Sequence, residues 1–516
     1  MLGVGHDLYG VTEYDDGVYF GAAMHLVAGQ LPYRDFTFVQ PPGITIILAP
    51  IALISGHADP RDGLAAARIL TGVIVGLNAL LVVWILRHRS LLGAFLGAML
   101  VAIYPPGVYS HHTILLEPYL TFFCLIAVAL AFDGDRLASN RRLIFAGIVL
   151  GFAGTVKLFA AAVAIAFFFV LVWKNRDKLR PFVIGALIGF LVPCLPFFLG
   201  APSNFIRDVF TSQLGRAAVV PAPFEVRLSG LTGLTDIASR STLAIGPHSA
   251  LPWIAGGILA LVCSLGTFVP AIRRHGSPLN WFLLLASVIA FGMACLPRQY
   301  YTHYVELSAM LFCVLIGGSV GTLARSIRTW SERSGRNGLV RHSRRLVIVA
   351  SGVICTLIIA AGSAFVINTQ TIFEHPKLLR FGDPARNLDR AIPAGACVVS
   401  DATSLLVNAN RMNFSKSCPV IVDATGTWLT YEPAHPPQRK GLAPKNPALV
   451  ALWKRAFSHA DYAVFAGVSA FRTPFTPALS QWFNDHFERI PNVRPIAFKR
   501  REHPIQNAPS ITGVIP

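Results

Sequence analysis

Apolar runs of roughly 20 residues alternate with short polar segments along most of this chain. A run of about 20 apolar residues is long enough to cross the ~30 Å hydrocarbon core of a bilayer as a helix. The run 43–55 is too short to span and contains Pro50, so we expect it to be re-entrant or interfacial. The runs on either side of Lys157 are compatible with two short helices or one long helix. The pattern predicts membrane helices at 65–86, 91–108, 114–132, 143–156, 158–173, 182–199, 251–272, 279–296, 303–324 and 346–368.

Composition supports a membrane protein, because 53% of the residues are hydrophobic and only 14% are charged, against about 25% charged in soluble domains. The net charge of +18 would suggest a nucleic-acid partner in a soluble protein. Here the basic residues concentrate in short loops between apolar runs, which is typical of cytoplasmic loops. The loop 325–345 holds seven arginines. We therefore expect that loop to be cytoplasmic, and the N-terminal segment and everything after residue 368 to be outside.

Residues 369–516 are more polar and contain shorter apolar runs. Segments 397–401, 419–423 and 461–465 resemble buried strands that end in polar turns, and 402–410, 447–458 and 476–487 resemble helices. Alternating strands and helices favour a small α/β domain with a mostly parallel sheet. The predicted fold class is a polytopic α-helical membrane protein with about ten or more transmembrane helices (1–368) and a small C-terminal α/β extracytoplasmic domain (369–516).

The eight cysteines fall into two groups. Six lie in or beside apolar runs, where cysteine behaves as a small hydrophobe. Cys397 and Cys418 lie in the polar C-terminal region. Outside the cytoplasm they would form a disulfide, and the alternative is two unpaired thiols. No CxxC or histidine-rich metal pattern is present.

The segment 13–43 reads EYDDGVYFGAAMHLVAGQLPYRDFTFVQPPG and precedes the first long apolar run. It carries five charged residues, and a charge at bilayer depth costs roughly 2.5–3.5 kcal/mol on the insertion scale. We therefore expect these charges to line a water-filled cavity or the membrane face. The characteristic positions, in order, are Asp15-Asp16, Tyr19, Gly29, Tyr33-Arg34-Asp35-Phe36 and Gln40-Pro41-Pro42-Gly43.

This order resembles the first outer loop of the GT-C glycosyltransferases, of the bacterial protein-mannosyltransferase and aminoarabinose-transferase type. The resemblance implies that a sugar is moved, with inversion, from a polyprenyl-phosphate carrier to an extracytoplasmic glycan, lipid or protein. The acidic pair of that family is usually Asp-Glu, and here it is Asp15-Asp16. A membrane helix precedes the pair in the family but not in this sequence. Either the start codon is assigned too late, which we expect, or the helix is absent.

Glycosyl transfer needs a base for the acceptor hydroxyl and cations for the leaving phosphate. The resemblance makes Asp15 the catalytic base and Asp16 the second member of the pair. Adjacent carboxylates cannot point the same way, so one would face the cavity while the other has a structural or metal-facing role. The alternative is a solvated pair on a loop.

Glu117, at the outer end of an apolar run and before Pro118, is the third catalytic candidate. Its implied role is to position the acceptor or a divalent ion, and the alternative is a carboxylate favoured by the helix dipole. The nearby His111 and His112 fit exposed loop histidines better than ligands. No metal ligand is assigned, although a divalent metal stays an option.

Four residues are candidates for binding the donor phosphate: Arg34, Lys157, Arg298 and His303. Lys157 stands alone among apolar residues and needs a partner, either a lipid phosphate or Glu117. Arg298 would hold phosphate bidentately, or would be a snorkelling arginine in an interfacial aromatic belt. Arg34 would pair with Asp35 or with the donor.

Two other function classes compete with the glycosyltransferase. A transporter or flippase for a lipid-linked or polar solute would also carry intramembrane charges. However, the ionisable residues gather at one face, and no inverted repeat is visible. A non-catalytic assembly protein would use 369–516 to bind a partner. The expected partners are the lipid-linked donor, its acceptor and membrane lipids, without nucleic acid.

Overall fold

The computed structural model of the protein describes most of the chain, in several stretches. These are residues 6–11, 13–56, 59–110, 113–216, 222–233, 251–272, 277–333, 384–437, 444–467, 470–493 and 495–503. The predicted span 346–368 lies outside the described residues, and so do His111 and His112.

The described residues up to 333 are mostly helical. Short turns of other helix types lie at Leu158–Ala160, Arg176–Lys178, Arg207–Thr211 and Thr302–Val305. A two-stranded hairpin, β1 (Phe132–Asp133) and β2 (Arg136–Leu137), joins two of the helices. The helices are α1 (His6–Tyr9), α2 (Tyr14–Val27), α3 (Gly43–Ser55), α4 (Pro60–Leu86), α5 (Leu91–Ile103), α6 (Pro105–Ser110), α7 (Leu116–Ala131), α8 (Asn140–Val156), α9 (Ala161–Lys174), α10 (Leu179–Gly200), α11 (Pro202–Ile206), α12 (Ser212–Leu214), α13 (Phe224–Thr232), α14 (Leu251–Ile272), α15 (Pro278–Cys295) and α16 (Glu306–Arg333).

Several of these helices have the length and composition of membrane spans. Among the described residues four helical segments qualify: Pro60–Leu86, Arg176–Gly200, Pro278–Cys295 and Thr302–Val320. Shorter apolar helices lie at Gly43–Ser55, Leu91–Ile103, Leu116–Ala131 and Leu158–Lys174. The protein is therefore mostly helical, with apolar helices of membrane-spanning length.

Two local differences from the sequence expectations have clear causes, and one open alternative is decided. The acidic pair lies in a helix and not in a loop, because Glu13 caps α2 by accepting a hydrogen bond from the Tyr14 amide at 2.9 Å. The run 91–108 is broken after Ile103, where Pro105 and Pro106 begin a new helix. The segment around Lys157 forms two helices, since Lys157 itself is extended (φ −154°, ψ 134°).

Helices α8 and α10 contact each other backbone to backbone. Glycines recur four residues apart on both facing surfaces, at 147 and 151 on α8 and at 185 and 189 on α10. A Cβ at Gly151 would lie 2.1 Å from the Ala186 carbonyl oxygen, and a Cβ at Gly189 would lie 1.9 Å from that of Ile148. Small residues at such spacing are typical of helix pairs in membranes.

The C-terminal region (384–503) contains a four-stranded sheet with helices around it. Its strands are β3 (Val398–Ser400), β4 (Tyr462–Phe465), β5 (Phe487–Arg489) and β6 (Ile496–Arg500), in the order β3-β4-β6-β5. Its helices are α17 (Pro384–Ala391), α18 (Thr403–Asn408), α19 (Ala424–Tyr431), α20 (Pro447–His459) and α21 (Pro477–His486). The disulfide between Cys397 and Cys418 is formed.

Two expectations for this region were wrong. The segment 419–423 is not a strand, because it runs irregularly into Asp423, whose carboxylate caps α19. The sheet is not mostly parallel: only β3 and β4 run parallel, while β6 pairs antiparallel with both β4 and β5. The strands β5 and β6 were missed because each carries charged residues at one end and neither forms a long apolar run.

Helix α2 packs directly on the C-terminal region. A Cβ added at Gly17 would lie 2.0 Å from the backbone nitrogen of Ser404, and one at Gly21 would lie 2.7 Å from the Thr403 side chain. Only glycine at position 17 lets α18 approach α2 this closely. The N-terminal acidic segment is therefore held between the helical part of the molecule and the C-terminal region.

Candidate active site

The acidic pair divides between two environments because neighbouring residues on an α-helix point about 100° apart. The Asp16 side chain is fully buried and pairs with Arg68 of α4, whose Nε donates to Oδ2 at 2.9 Å. Its other oxygen accepts a hydrogen bond from the Ile114 amide at 2.5 Å. Asp16 thus ties α2 to α4 and to the segment before α7, and it does not line the cavity described next.

Asp15 lines a cavity of about 510 Å³ that opens between the helical part and the C-terminal region. The Tyr19 hydroxyl, one turn further along α2, lies 3.5 Å from Asp15 Oδ2. Removal from bulk water, followed by the negative charges of Glu13, Asp423 and Glu117, raises the pKa of Asp15 to about 7, against the opposing charge of Lys157. A carboxylate that titrates near neutral pH is well suited to accept a proton.

Glu117 and Lys157 form an ion pair on the inner side of this cavity. Glu117 lies in the first turn of α7 and is almost fully buried, while Lys157 projects from the break between α8 and α9. His303 Nε2 is 3.8 Å from the same glutamate oxygen. The Lys157 ammonium also lies 4.4 Å from the ring centre of Tyr304. Of the two partners considered for Lys157, the structure shows Glu117.

The opposite wall of the cavity belongs to the C-terminal region. The Tyr14 hydroxyl donates to Asp423 Oδ1 at 2.9 Å and accepts from the Thr425 amide at 2.9 Å. The same aspartate oxygen accepts from the Gly426 amide at 2.7 Å. The Arg472 guanidinium lies over the Tyr14 ring, 4.3 Å from its centre. A carboxylate and a guanidinium from this region therefore face Asp15 across the cavity.

A second cavity of about 510 Å³ adjoins the first. The two share Gln40, Lys157, Arg216 and Tyr304 in their walls. The second is lined mainly by apolar side chains, among them Leu158, Phe159, Val209, Leu214, Met293 and Leu296. Leu214 and Leu296 are 88% and 78% exposed. An apolar space with an apolar rim thus leads to the cations at the junction.

Arginines add positive charge to this junction. Arg216 lines both cavities, and its Nε atom is buried without a hydrogen-bond partner among the described residues. Arg298 lines the apolar cavity but not the polar one. Within the described stretches of the chain no carboxylate pairs with either guanidinium, so both are available to an anion.

Arg34 lies elsewhere. It is exposed at the surface, where its Nη2 is 2.8 Å from Asp35 Oδ2, and it lines neither cavity. Asp35 in turn accepts a hydrogen bond from the Leu31 amide at 2.6 Å. The Arg34-Asp35 pair therefore shapes the turn after α2, and the first of the two alternatives for Arg34 is the one observed.

Sequence reasoning missed several cavity residues: Glu13, Tyr14, Arg216, Tyr301, Asp423 and Arg472. One signal was available for Asp423, which ends an apolar run in the compartment expected to hold the acidic pair. Arg216 and Arg472 carry no local signal, because each reaches the cavity only through the tertiary fold.

A metal centre is not evident in the described residues. No group of three or more His, Cys, Asp and Glu side chains gathers there in an arrangement that would hold a metal ion.

Known proteins resemble this chain in sequence and in fold. Residues 58–199 match the family model of dolichyl-phosphate-mannose-protein mannosyltransferase. The structure of ArnT from Cupriavidus metallidurans bound to undecaprenyl phosphate is similar with a TM-score of 0.59 and 13% identity, over 95% of this chain and 94% of that one. The chain has the GT-C fold. No curated protein sequence matches it.

The GT-C likeness extends to a more distant enzyme. The oligosaccharyltransferase of Archaeoglobus fulgidus matches with a TM-score of 0.52 and 12% identity, over 96% of this chain and 70% of that chain. The resemblance expected from residues 13–43 is thereby confirmed. The family model matches a stretch that begins after those residues, so sequence motif and family model are independent indications of the same superfamily.

Proposed function

We propose that this protein is a membrane glycosyltransferase that moves a sugar from a polyprenyl-phosphate carrier to an extracytoplasmic acceptor. Three indications support it: the family model, the GT-C fold and the motif at 13–43. The matched ArnT structure holds undecaprenyl phosphate, and the name of the family model states mannosyl transfer from a dolichyl phosphate to protein.

The observation that carries the proposal is the pair of adjoining cavities with Lys157 and Arg216 in their common wall. A polyprenyl-phosphate-sugar has an apolar chain, an anionic phosphate and a polar sugar, in that order. The apolar cavity fits the chain, the shared cations fit the phosphate, and the polar cavity fits the sugar together with an acceptor. The reacting carbon would then lie near Asp15.

The proposed roles follow from this placement. An acceptor hydroxyl oxygen attacks the anomeric carbon while the bond from that carbon to the phosphate oxygen breaks. Asp15 takes the hydroxyl proton. Lys157 and Arg216 stabilise the negative charge on the departing phosphate, and Arg298 binds the donor phosphate before the reaction. Glu117 holds the Lys157 ammonium in place, and His303 adjoins that pair. Attack from the face opposite the leaving phosphate inverts the anomeric configuration.

The function requires that Asp15 and the C-terminal region lie on the outer side of the membrane. We propose a multi-pass protein whose helical portion spans 1–368 and whose extracytoplasmic α/β domain spans 369–516, in keeping with the arginine-rich loop 325–345. A single cysteine placed at Asn337 should be protected in intact cells from an impermeant thiol reagent, and one placed at exposed Ser458 should be labelled. Labelling at Asn337 from outside overturns this topology.

The proposed reaction is tested in cells that lack the protein. Such cells should accumulate a polyprenyl-phosphate-sugar and lose one envelope glycan modification, which names both donor and product. Wild-type protein and Asp35→Asn, a surface change in the same motif, should restore the modification, whereas Asp15→Asn should not. If a well-folded Asp15→Asn protein restores it fully, Asp15 is not the base.

A further inference from the structure

Tyr14 and Asp423 join the C-terminal region to the helix turn that carries Asp15. Tyr14 is the first residue of α2 and Asp15 follows it directly. The Tyr14 hydroxyl is held by two hydrogen bonds of 2.9 Å, one to Asp423 Oδ1 and one from the Thr425 amide. Its ring is covered by Arg472. Both partners of the hydroxyl lie more than 400 positions away in sequence, so this contact exists only through the tertiary fold.

Asp423 is itself fixed. It is 6% exposed, and its Oδ1 atom accepts the Gly426 amide at 2.7 Å as the cap of α19. Because Asp423 is held by its own hydrogen bonds, it can hold the Tyr14 hydroxyl in a defined position. Buried polar networks whose hydrogen bonds are all made are rigid in this way. The close approach of Gly17 to Ser404 fixes the next turn of α2 against the same region. The first turn of α2 is thus held at both ends.

We propose that Tyr14 and Asp423 are positioning residues for Asp15. Through these two residues the C-terminal region sets the position of the Asp15 carboxylate and the charge that surrounds it. The inference rests on the proposed role of Asp15 as base. It assigns the C-terminal region a direct part in the chemical step in addition to enclosing the cavity. Misplacement of a reacting group by about 1 Å costs up to roughly 100-fold in rate, so a hydroxyl that holds this turn in place affects catalysis strongly.

Asp423 also acts on Asp15 through its charge. The charged and titratable groups that line the cavity with Asp15 come from α2 and the residue before it, α7, the Lys157 break, the segment after α12, the segment before α16 and the C-terminal region. The negative charge of Asp423 contributes to the raised pKa of Asp15. Among the described residues these groups are Glu13, Tyr14, Tyr19, Glu117, Lys157, Arg216, Tyr301, His303, Tyr304, Asp423 and Arg472.

Two substitutions separate position from charge. Tyr14→Phe removes the hydroxyl and leaves every charge in place, so kcat should fall by on the order of 10- to 100-fold with the KM of the donor unchanged. Asp423→Asn keeps an oxygen for the Tyr14 hydroxyl and the Gly426 amide but removes the charge. Its kcat at high pH should stay near the wild-type value, and the acid limb of its pH–rate profile should move to lower pH.

Matched controls come from the same fold. Tyr104→Phe removes another buried phenol hydrogen bond, made to the Gly230 carbonyl oxygen at 2.7 Å and away from both cavities. Asp461→Asn changes an aspartate of the C-terminal region that accepts the Cys397 amide at 2.9 Å. Both controls should keep the wild-type kcat and pH profile, and thermal unfolding of all variants reports whether they fold.

The outcomes distinguish this proposal from the proposed function. If Asp15→Asn is inactive while folded Tyr14→Phe and Asp423→Asn both behave like their controls, the positioning role is overturned and the base assignment stands. If Asp15→Asn is fully active, the positioning role and the base assignment are both overturned. A reduced kcat in Tyr14→Phe with an unshifted pH profile, alongside the shifted profile of Asp423→Asn, is the result that supports the proposal.

Discussion

The two cavities that meet at Lys157 and Arg216 have the same volume, about 510 Å³, and different walls. The first brings four carboxylates together with cations and tyrosines, and much of its wall comes from the C-terminal region. The second is lined mostly by apolar side chains of the helical part, and its cations are Lys157, Arg216 and Arg298. Under the proposed function, we expect the polar cavity to govern the chemical step and the apolar cavity to govern donor binding.

The largest expected effect tests the polar cavity. Asp15→Asn keeps the size of the side chain and removes the base, so kcat should fall by about 10²–10⁴ with little change in donor KM. Purified protein and a polyprenyl-phosphate-sugar would be used to measure both constants. Asp16→Asn is the informative comparison, because it breaks the buried pair with Arg68 and should instead lower the melting temperature.

The apolar cavity is tested at Arg298. Arg298→Met removes a guanidinium that would hold the donor phosphate, and hydrogen bonds to charged groups contribute about 1.5–3 kcal/mol. Donor KM should rise by roughly 10- to 100-fold, while kcat at saturating donor stays near the wild-type value. Arg34→Met, at the surface, serves as the control and should leave donor KM unchanged. A fall in kcat with unchanged KM would contradict the division between the cavities.

The pH dependence of kcat also separates the roles proposed for the two cavities. Asp15 must be deprotonated to act as base, and its pKa is raised to about 7. The rate kcat should therefore rise about tenfold per pH unit below 7 and level off above it. Asp15→Asn should lack this fall of kcat at low pH, whereas Arg298→Met should keep it because Asp15 is unchanged in that variant. A wild-type profile that is flat between pH 5 and 8 would contradict the assignment.

The smallest effect on activity is expected at the disulfide. Cys397 and Cys418 are 21 positions apart, and closing a loop of that size stabilises a fold by roughly 3 kcal/mol on the chain-entropy model. Cys418→Ser should lower the melting temperature of the C-terminal region and reduce kcat less than Asp15→Asn does. The free buried Cys124→Ser is the control. Alkylation of both cysteines without prior reduction would show that the bond does not form.

Much of the helical part was predictable because its signal is local. A run of apolar residues bounded by polar ones places a helix without knowledge of its neighbours, and α14 and α15 lie at the predicted positions within one residue. The C-terminal sheet was less predictable. The last two strands in the chain, β5 and β6, are short and carry charges, and their pairing partners are decided by contacts distant in sequence.

The candidate site shows the same difference between features set by local sequence and features set by the tertiary fold. The sequence by itself determined the apolar helices, the acidic motif and the need of Lys157 for a partner, because each follows from the local cost of placing a charge among apolar residues. Only the tertiary structure decided that Asp15 faces the cavity while Asp16 pairs with Arg68. It alone brought Asp423 to Tyr14 across 409 positions, since a hydrogen bond between distant segments depends on how the helices pack and leaves no pattern in either segment.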